Sequence, residues 1–115
     1  MSDLKKITDN YVKFRDDRDW KQFHGFKDLA IDLSVEAAEV LEHFQWKTPE
    51  EINEYLKTKK DAVADELADV LHNILLLAHD LEIDMVKASE KKLKQNEKKY
   101  PIAKARGKHT KYTDL

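Results

Sequence analysis

The chain has 115 residues, of which 41% are hydrophobic and 38% charged, with no cysteine and a formal net charge of −2. These proportions are too apolar for a disordered chain and too polar for a membrane protein, and the longest apolar run, residues 74–78, is far short of the roughly 20 residues that a bilayer span needs. Without cysteine there is no disulfide framework and no zinc–thiolate site, and the start of the chain has no apolar leader, so we expect a cytoplasmic protein.

Helices account for most of the predicted structure, because glycine and proline occur only twice each. Apolar residues at helical spacing predict helices over residues 3–17, 26–46, 49–56, 61–81 and 84–100. Thr48 and Glu51 predict a capping box at the start of the helix 49–56. Residues 58–60 are predicted to be a linker, and Asp84 is predicted to cap the last helix. The expectation is an all-α bundle of four to five helices, a single domain over 1–115, with 101–115 as a basic C-terminal tail.

The charges are unevenly distributed along the chain. Residues 87–111 hold ten Lys and Arg against two Glu, a net +8, while the remainder carries −10. An acidic body would repel a phosphate backbone, so we expect no nucleic-acid partner. The same arrangement suits a ligand that carries cations and phosphates together, although a solvated helix followed by a basic tail is the commoner explanation.

Two pairs of carboxylates are spaced to point from one side of a helix. Glu36 and Glu39 form one pair, and Glu66 and Asp69 form the other, each at i, i+3. Most such pairs are solvated faces. The first pair differs because it lies in a stripe, together with Asp32 and His43, that apolar residues border on both sides, where unpaired charge is costly. If the two helices are antiparallel neighbours, four carboxylates converge on one site for a hard cation such as Mg²⁺ or Mn²⁺.

Two tryptophans flank this region of the sequence. Trp46 is predicted to end the second helix, and Trp20 lies in the connector before it, near His24. Aromatic rings at the rim of a pocket can stack a flat base. Packing in the core or at an interface is the alternative for both tryptophans, and a partly buried polar role is the alternative for His24.

The two acidic motifs, separated by twenty-six residues, resemble the signature of the MazG-like family of all-α nucleoside triphosphate pyrophosphohydrolases. Further similarity to the dCTP pyrophosphatase branch of that family lies in the segments Arg18-Asp19-Trp20-Lys21-Gln22-Phe23-His24, Phe44-Gln45-Trp46-Lys47, Lys99-Tyr100-Pro101 and Lys111-Tyr112-Thr113-Asp114-Leu115. The resemblance extends over about residues 10–115. A lone Glu-x-x-Glu is a weak signal, whereas these segments in this order are specific.

The resemblance implies a Mg²⁺-dependent enzyme, with Mn²⁺ as a substitute, that cleaves a nucleoside triphosphate between its α and β phosphates. The products are a monophosphate and pyrophosphate, the substrate dCTP or a related deoxynucleotide, and the role nucleotide-pool sanitation. Carried over residue by residue, it implies the metal ligands and catalytic residues Glu36, Glu39, Glu66 and Asp69. It further implies the substrate contacts Trp20, His24, Trp46, Asn73, Lys92, Asn96, Lys108 and Lys111.

Within that set the implied roles differ. The two tryptophans would line the base pocket with His24 near the sugar and base, Lys92 and Asn96 would contact the phosphates, and the tail lysines would close over the site. Asn73 departs from the family, since relatives that prefer dCTP commonly have tyrosine there, which leaves the base or sugar preference open. Family members are dimers or tetramers with sites built between subunits, so a homodimer or homotetramer is expected, in agreement with a small core.

Three other functions are compatible with parts of the pattern. A carboxylate-bridged di-iron bundle needs Glu-x-x-His motifs on two helices, and the nearest approach here is Asp69-x-x-His72. A non-catalytic helical interaction module predicts that Glu39→Gln changes nothing. A related helical hydrolase acting on dUTP or phosphoribosyl-ATP would retain the chemistry and change the substrate.

Overall fold

A computed structural model describes residues 3–115; Met1 and Ser2, which the predicted domain includes, lie outside the described residues. The described chain is all-helical, which confirms the predicted fold class. It consists of α1 (Asp3–Asp17), α2 (Phe26–Glu42), α3 (Pro49–Asp80), α4 (Met85–Lys99) and α5 (Ile102–Ala105), with short 3-10 helices at Lys21–Phe23 and Tyr112–Asp114. The described chain divides into two compact units, the first ending at Glu82 and the second beginning at Ile83.

In the first unit, α1 and α2 both pack against α3. The predicted bounds of α1 are confirmed, and the predicted connector contains the 3-10 helix. The prediction that Trp46 ends α2 was wrong, because the helix ends at Glu42. The chain then tightens into a turn in which the amides of Phe44 and Gln45 both donate to the carbonyl of Leu41, at 2.9 and 3.0 Å.

The predicted linker at residues 58–60 is helical, so the two helices predicted on either side of it are one 32-residue helix, α3. Neither glycine nor proline interrupts this stretch, and Leu56 and Val63, two turns apart, continue the apolar face across it. The capping box is confirmed, since the Thr48 hydroxyl accepts from the amide of Glu51 and the Glu51 carboxylate accepts from the amide of Thr48. A long α3 therefore gives both α1 and α2 a common surface.

In the second unit, Asp84 caps α4 by accepting a hydrogen bond from the amide of Lys87 at 3.1 Å, as the sequence predicts. The segment predicted as a tail contains α5 and the last 3-10 helix. The ring of Tyr112 meets that of Tyr100 edge to face, and the Lys99 ammonium lies 4.7 Å from the centre of the Tyr112 ring. These contacts order the end of the chain against the end of α4.

The buried apolar core of the described chain is small and consists of Leu29, Val63, Leu75, Leu76 and Ala78, of which Leu29 is fully buried. A charged pair is buried beside it. Arg15 of α1 is 1% exposed and donates two hydrogen bonds to the Asp80 carboxylate at the end of α3, at 2.7 and 2.9 Å. This fork holds α1 onto α3, and its hydrogen bonds lower the pKa of Asp80.

Among the described residues, the structure contains no helix with the length and apolar character needed to cross a bilayer.

Candidate metal centre

Three carboxylates converge where α2 packs on α3. Glu36 and Glu39 lie one turn apart on α2, Glu66 projects from α3, and one ligand oxygen of each lies within 4.8 Å of the others. All three residues are partly buried. The spacing i, i+3 brings the first two to one face of α2, and the packing of the helices adds the third. Three of the four carboxylates that the sequence predicts to converge are therefore brought together.

The proximity of these groups makes their charged forms costly. Burial, hydrogen bonding with Glu39 and the negative charges of Glu39, Asp69 and Glu66 raise the pKa of Glu36 to about 7. Hydrogen bonding with Glu39, followed by burial, raises the pKa of Glu66. Glu39 is thus the central member, because it interacts with the other two. Carboxylates forced together in this way are stabilised by a proton or by a cation.

Asp69, the fourth predicted ligand, is exposed and lies outside the group of three. It is nevertheless close enough for its charge to raise the pKa of both Glu36 and Glu66. Its charge also contributes, after burial, to raising the pKa of Tyr11, whose ring stacks on His72 with centroids 3.4 Å apart. Asp69 therefore borders the cluster on the side where α1 meets α3.

The residues of the cluster fit a hard divalent cation. The donor set consists of carboxylate oxygens alone, which suits Mg²⁺ or Mn²⁺ and gives no soft ligand for copper or structural zinc. Moreover, Oε2 of Glu36 is buried and has no hydrogen-bond partner. A buried acceptor without a donor carries a desolvation cost that a bound cation would remove.

The two tryptophans differ in their surroundings. Trp46 is 91% exposed and adopts a left-handed backbone conformation with φ 67°, which is strained for a bulky residue. Packing in the core of this chain is therefore excluded for Trp46. Trp20 is 43% exposed, and its ring meets Phe14 edge to face at 5.7 Å. His24 is partly buried, and its Nδ1 has no hydrogen-bond partner.

The remaining predicted substrate contacts are placed as follows. The Asn73 amide donates to the carbonyl of Asp69 at 3.1 Å and so bonds back to its own helix. In the second unit, Lys92 and Asn96 share one face of α4, where they line a shallow groove. Lys108 and Lys111 are exposed in the segment between α5 and the last 3-10 helix.

Sequence reasoning missed one neighbour of the cluster. Tyr55 of α3 meets His43 with 2.6 Å between Oη and Nδ1, and His43 in turn faces Glu66. The sequence predicts His43 in the acidic stripe of α2. It assigns Tyr55 to the predicted helix 49–56, which is separate from the predicted helix 61–81 that carries Glu66. Only a continuous α3, with the two residues about three turns apart on one face, brings them to the same histidine.

Comparison with known proteins gives a consistent set of relatives. Residues 31–115 match the sequence model of the MazG-like family. The dCTP pyrophosphatase 1 of Rattus norvegicus is 34% identical over 117 residues, covering all of this chain and 67% of that protein. The Homo sapiens protein of the same name is 33% identical with the same coverage. The crystal structure of a pyrophosphatase from Archaeoglobus fulgidus superposes with a TM-score of 0.82 at 39% identity, covering 88% of this chain and 94% of that one.

Proposed function

This chain belongs to the MazG-like family and is a nucleoside triphosphate pyrophosphohydrolase, and we propose that it uses Mg²⁺ to cleave dCTP or a related deoxynucleoside triphosphate between the α and β phosphates. The proposed role is removal of such nucleotides from the cellular pool. The proposed metal is supported by the cluster of Glu36, Glu39 and Glu66, in which one carboxylate oxygen of each residue lies within 4.8 Å of the others. The relatives named dCTP pyrophosphatase 1 support the choice of substrate.

In the proposed mechanism, the carboxylates of Glu36, Glu39 and Glu66, with Asp69 beside them, would hold the cation. When bound, Mg²⁺ supplies positive charge that neutralises the phosphates and lowers the pKa of a bound water. The oxygen of a water molecule forms a bond to phosphorus. The anhydride bond between the α and β phosphates breaks, and pyrophosphate departs with the electron pair of that bond. A carboxylate of the cluster takes the proton of the attacking water.

The identity of the products tests this function directly. The purified protein, with Mg²⁺ in excess, is incubated with a panel of ribo- and deoxynucleoside triphosphates. We expect monophosphate and pyrophosphate, fastest with dCTP or a close relative, and complete loss of turnover on addition of EDTA. Release of inorganic phosphate and a diphosphate would contradict the cleavage site. Undiminished turnover in EDTA would contradict the proposed dependence on Mg²⁺. Faster cleavage of dUTP than of dCTP would make dUTP the preferred substrate.

Trp46 is proposed to stack on the base, together with Trp20, and His24 to lie near the sugar. The exposure of the Trp46 ring and its strained backbone support this role, because a residue kept at such cost serves something other than packing. Asn73, where related enzymes that prefer dCTP carry tyrosine, is proposed to set the base or sugar preference.

Replacing Trp46 with alanine is expected to raise KM by roughly 5- to 150-fold, since base stacking contributes about 1–3 kcal/mol. The expected change in kcat is smaller, and the melting temperature stays unchanged because the side chain is 91% exposed. Trp46→Phe is the matched variant, and its remaining ring retains most of the affinity. Steady-state kinetics measure both constants; an unchanged KM in Trp46→Ala would remove the tryptophan from the base site.

The proposed phosphate contacts are Lys92 and Asn96, with Lys108 and Lys111 as residues of a closing tail. The positive charge of residues 87–111 supports a role next to phosphates. These roles, the single-domain organisation, the cytoplasmic location and the absence of a nucleic-acid partner stay predictions.

We further propose that the protein is a homodimer or homotetramer. The first unit exposes large apolar side chains on both central helices, with Ile31 and Val35 of α2 each 50% exposed and Leu67 of α3 54% exposed. Its core is small, and apolar surface of this kind on a small helical protein is covered most simply by a second copy.

Light scattering after size-exclusion chromatography is expected to give two or four times the chain mass of 13.5 kDa. Ile31→Glu should shift the protein towards monomer, because a charge at an apolar interface is costly. Lys6→Glu, an exposed change of charge on α1, is the control and should leave the mass unaltered. A wild-type mass of 13.5 kDa would contradict the assembly.

A further inference from the structure

His43 lies between a tyrosine hydroxyl and a carboxylate of the cluster. Its Nδ1 is 2.6 Å from Oη of Tyr55, and its Nε2 is 3.8 Å from Oε1 of Glu66. The imidazole side chain is only 14% exposed. His43 caps the C-terminal end of α2, one turn after Glu39, and so completes the face of α2 that carries the carboxylates.

The two neighbours of His43 together favour one ring tautomer. The Tyr55 hydroxyl can donate to Nδ1 or accept from it, so this contact alone fits either tautomer. An ionised Glu66 carboxylate can only accept, so a proton on Nε2, the nitrogen that faces Glu66, with Tyr55 donating to Nδ1, satisfies both ring nitrogens. Tyr55 is itself held, because the Lys47 ammonium lies 4.4 Å from the centre of its ring.

We propose that His43 is a positioning residue for Glu66: Tyr55 fixes the His43 ring as the Nε2–H tautomer, and that N–H directs the Glu66 carboxylate towards the divalent cation. The inference rests on the metal site of the proposed function and deepens it. Ligands of metal sites are commonly oriented by outer groups of this kind, whose loss typically costs about 10- to 100-fold in metal affinity.

The position of Glu66 at the edge of the cluster explains why its carboxylate needs a neighbouring group that orients it. Glu39 and Glu66 repel each other as anions, and the carboxylate of Glu66 can rotate away from the cluster into solvent because it is 26% exposed. At 3.8 Å, Nε2 of His43 is in the range of an electrostatic contact, which opposes that rotation.

The test uses Mn²⁺ binding to the full chain without nucleotide, followed by the loss of the free-ion electron paramagnetic resonance signal. His43→Leu is expected to weaken Mn²⁺ binding about 10- to 100-fold. His43→Gln, whose amide N–H replaces Nε2–H, is expected to restore most of the affinity. Tyr55→Phe retains the ring beneath Lys47 and is expected to weaken binding by less than His43→Leu does.

A matched control is His79→Leu, an exposed histidine of α3 that lies about 20 Å along the helix from Glu66 at 1.5 Å per residue. Its Mn²⁺ affinity should equal that of the wild type. Thermal unfolding of every variant establishes that each is folded, and if His43→Leu does not fold, His43→Gln and Tyr55→Phe still carry the test.

Long-range proton–nitrogen correlation spectra of histidine-labelled protein give a second readout. We expect the Nε2–H tautomer at His43 in the wild type and a mixture of tautomers in Tyr55→Phe. An Nδ1–H tautomer, a His43→Leu variant that binds Mn²⁺ as tightly as the wild type, or a His43→Gln variant as weak as His43→Leu would each overturn the inference. Failure of the wild type to bind Mn²⁺ would instead contradict the metal site of the proposed function.

Discussion

Glu39→Gln is expected to reduce kcat by at least about a thousandfold, equivalent to ~4 kcal/mol of lost transition-state stabilisation. Glu39 is the carboxylate that interacts with both Glu36 and Glu66, so its neutralisation removes a ligand from the middle of the cluster. The amide has the same shape but cannot hold a divalent cation as a charged oxygen does. Steady-state turnover of the best substrate, with Mg²⁺ in excess, measures the loss.

The same substitution is expected to leave the fold intact and to raise the melting temperature slightly when no divalent cation is present. Removing one of three close negative charges relieves their repulsion, which the raised pKa of Glu36 reflects. Glu42→Gln, an exposed change of the same kind on α2, is the control and should retain full activity. If Glu39→Gln kept more than a tenth of wild-type turnover, or if Glu42→Gln lost as much, the carboxylate mechanism would be wrong.

The helices could be predicted from the sequence wherever local chemistry decides them. Asp84 caps α4, and Thr48 with Glu51 begins α3, because those side chains satisfy free amides next to themselves in sequence. The prediction failed at residues 58–60, where polar residues were read as a linker although nothing in Thr-Lys-Lys breaks a helix. It also failed at Trp46, since a left-handed conformation at tryptophan has no local sequence signal.

The cluster of carboxylates was accessible from the sequence because its spacing and its apolar borders are local features of two helices. Its electrostatics were not, because the pKa of Glu36 depends on burial and on charges that arrive from α3. The link from Tyr55 through His43 to Glu66 likewise needs the register between two packed helices. The same holds for Arg15 and Asp80, which are 65 residues apart and look like ordinary surface charges in the sequence.

The buried pair of Arg15 and Asp80 is expected to give the largest stability effect. Asp80→Asn removes the hydrogen-bonded counter-charge of the Arg15 guanidinium, which is 1% exposed, and leaves it the more distant carboxylate of Asp16, 3.8 Å from Nε. Breaking a buried pair from one side typically costs about 3–5 kcal/mol, which corresponds to a fall of roughly 10 to 20 °C in melting temperature for a chain of this size. Asp17→Asn, which breaks the exposed pair with Lys13, is the control and should cost less than about 1 kcal/mol.

Acid titration of stability separates the charge of Asp80 from its packing. Arg15 lowers the pKa of Asp80 below its ordinary value of 3.8, so the folded state binds this proton less readily than the unfolded state. The stabilising contribution is therefore complete above that ordinary value and is lost as the pH falls through the lowered one. We expect the stability of the wild type to fall in this acid range and the difference from Asp80→Asn to shrink there. A difference that stays constant down to pH 2 would assign the effect of the substitution to altered packing and not to the ion pair.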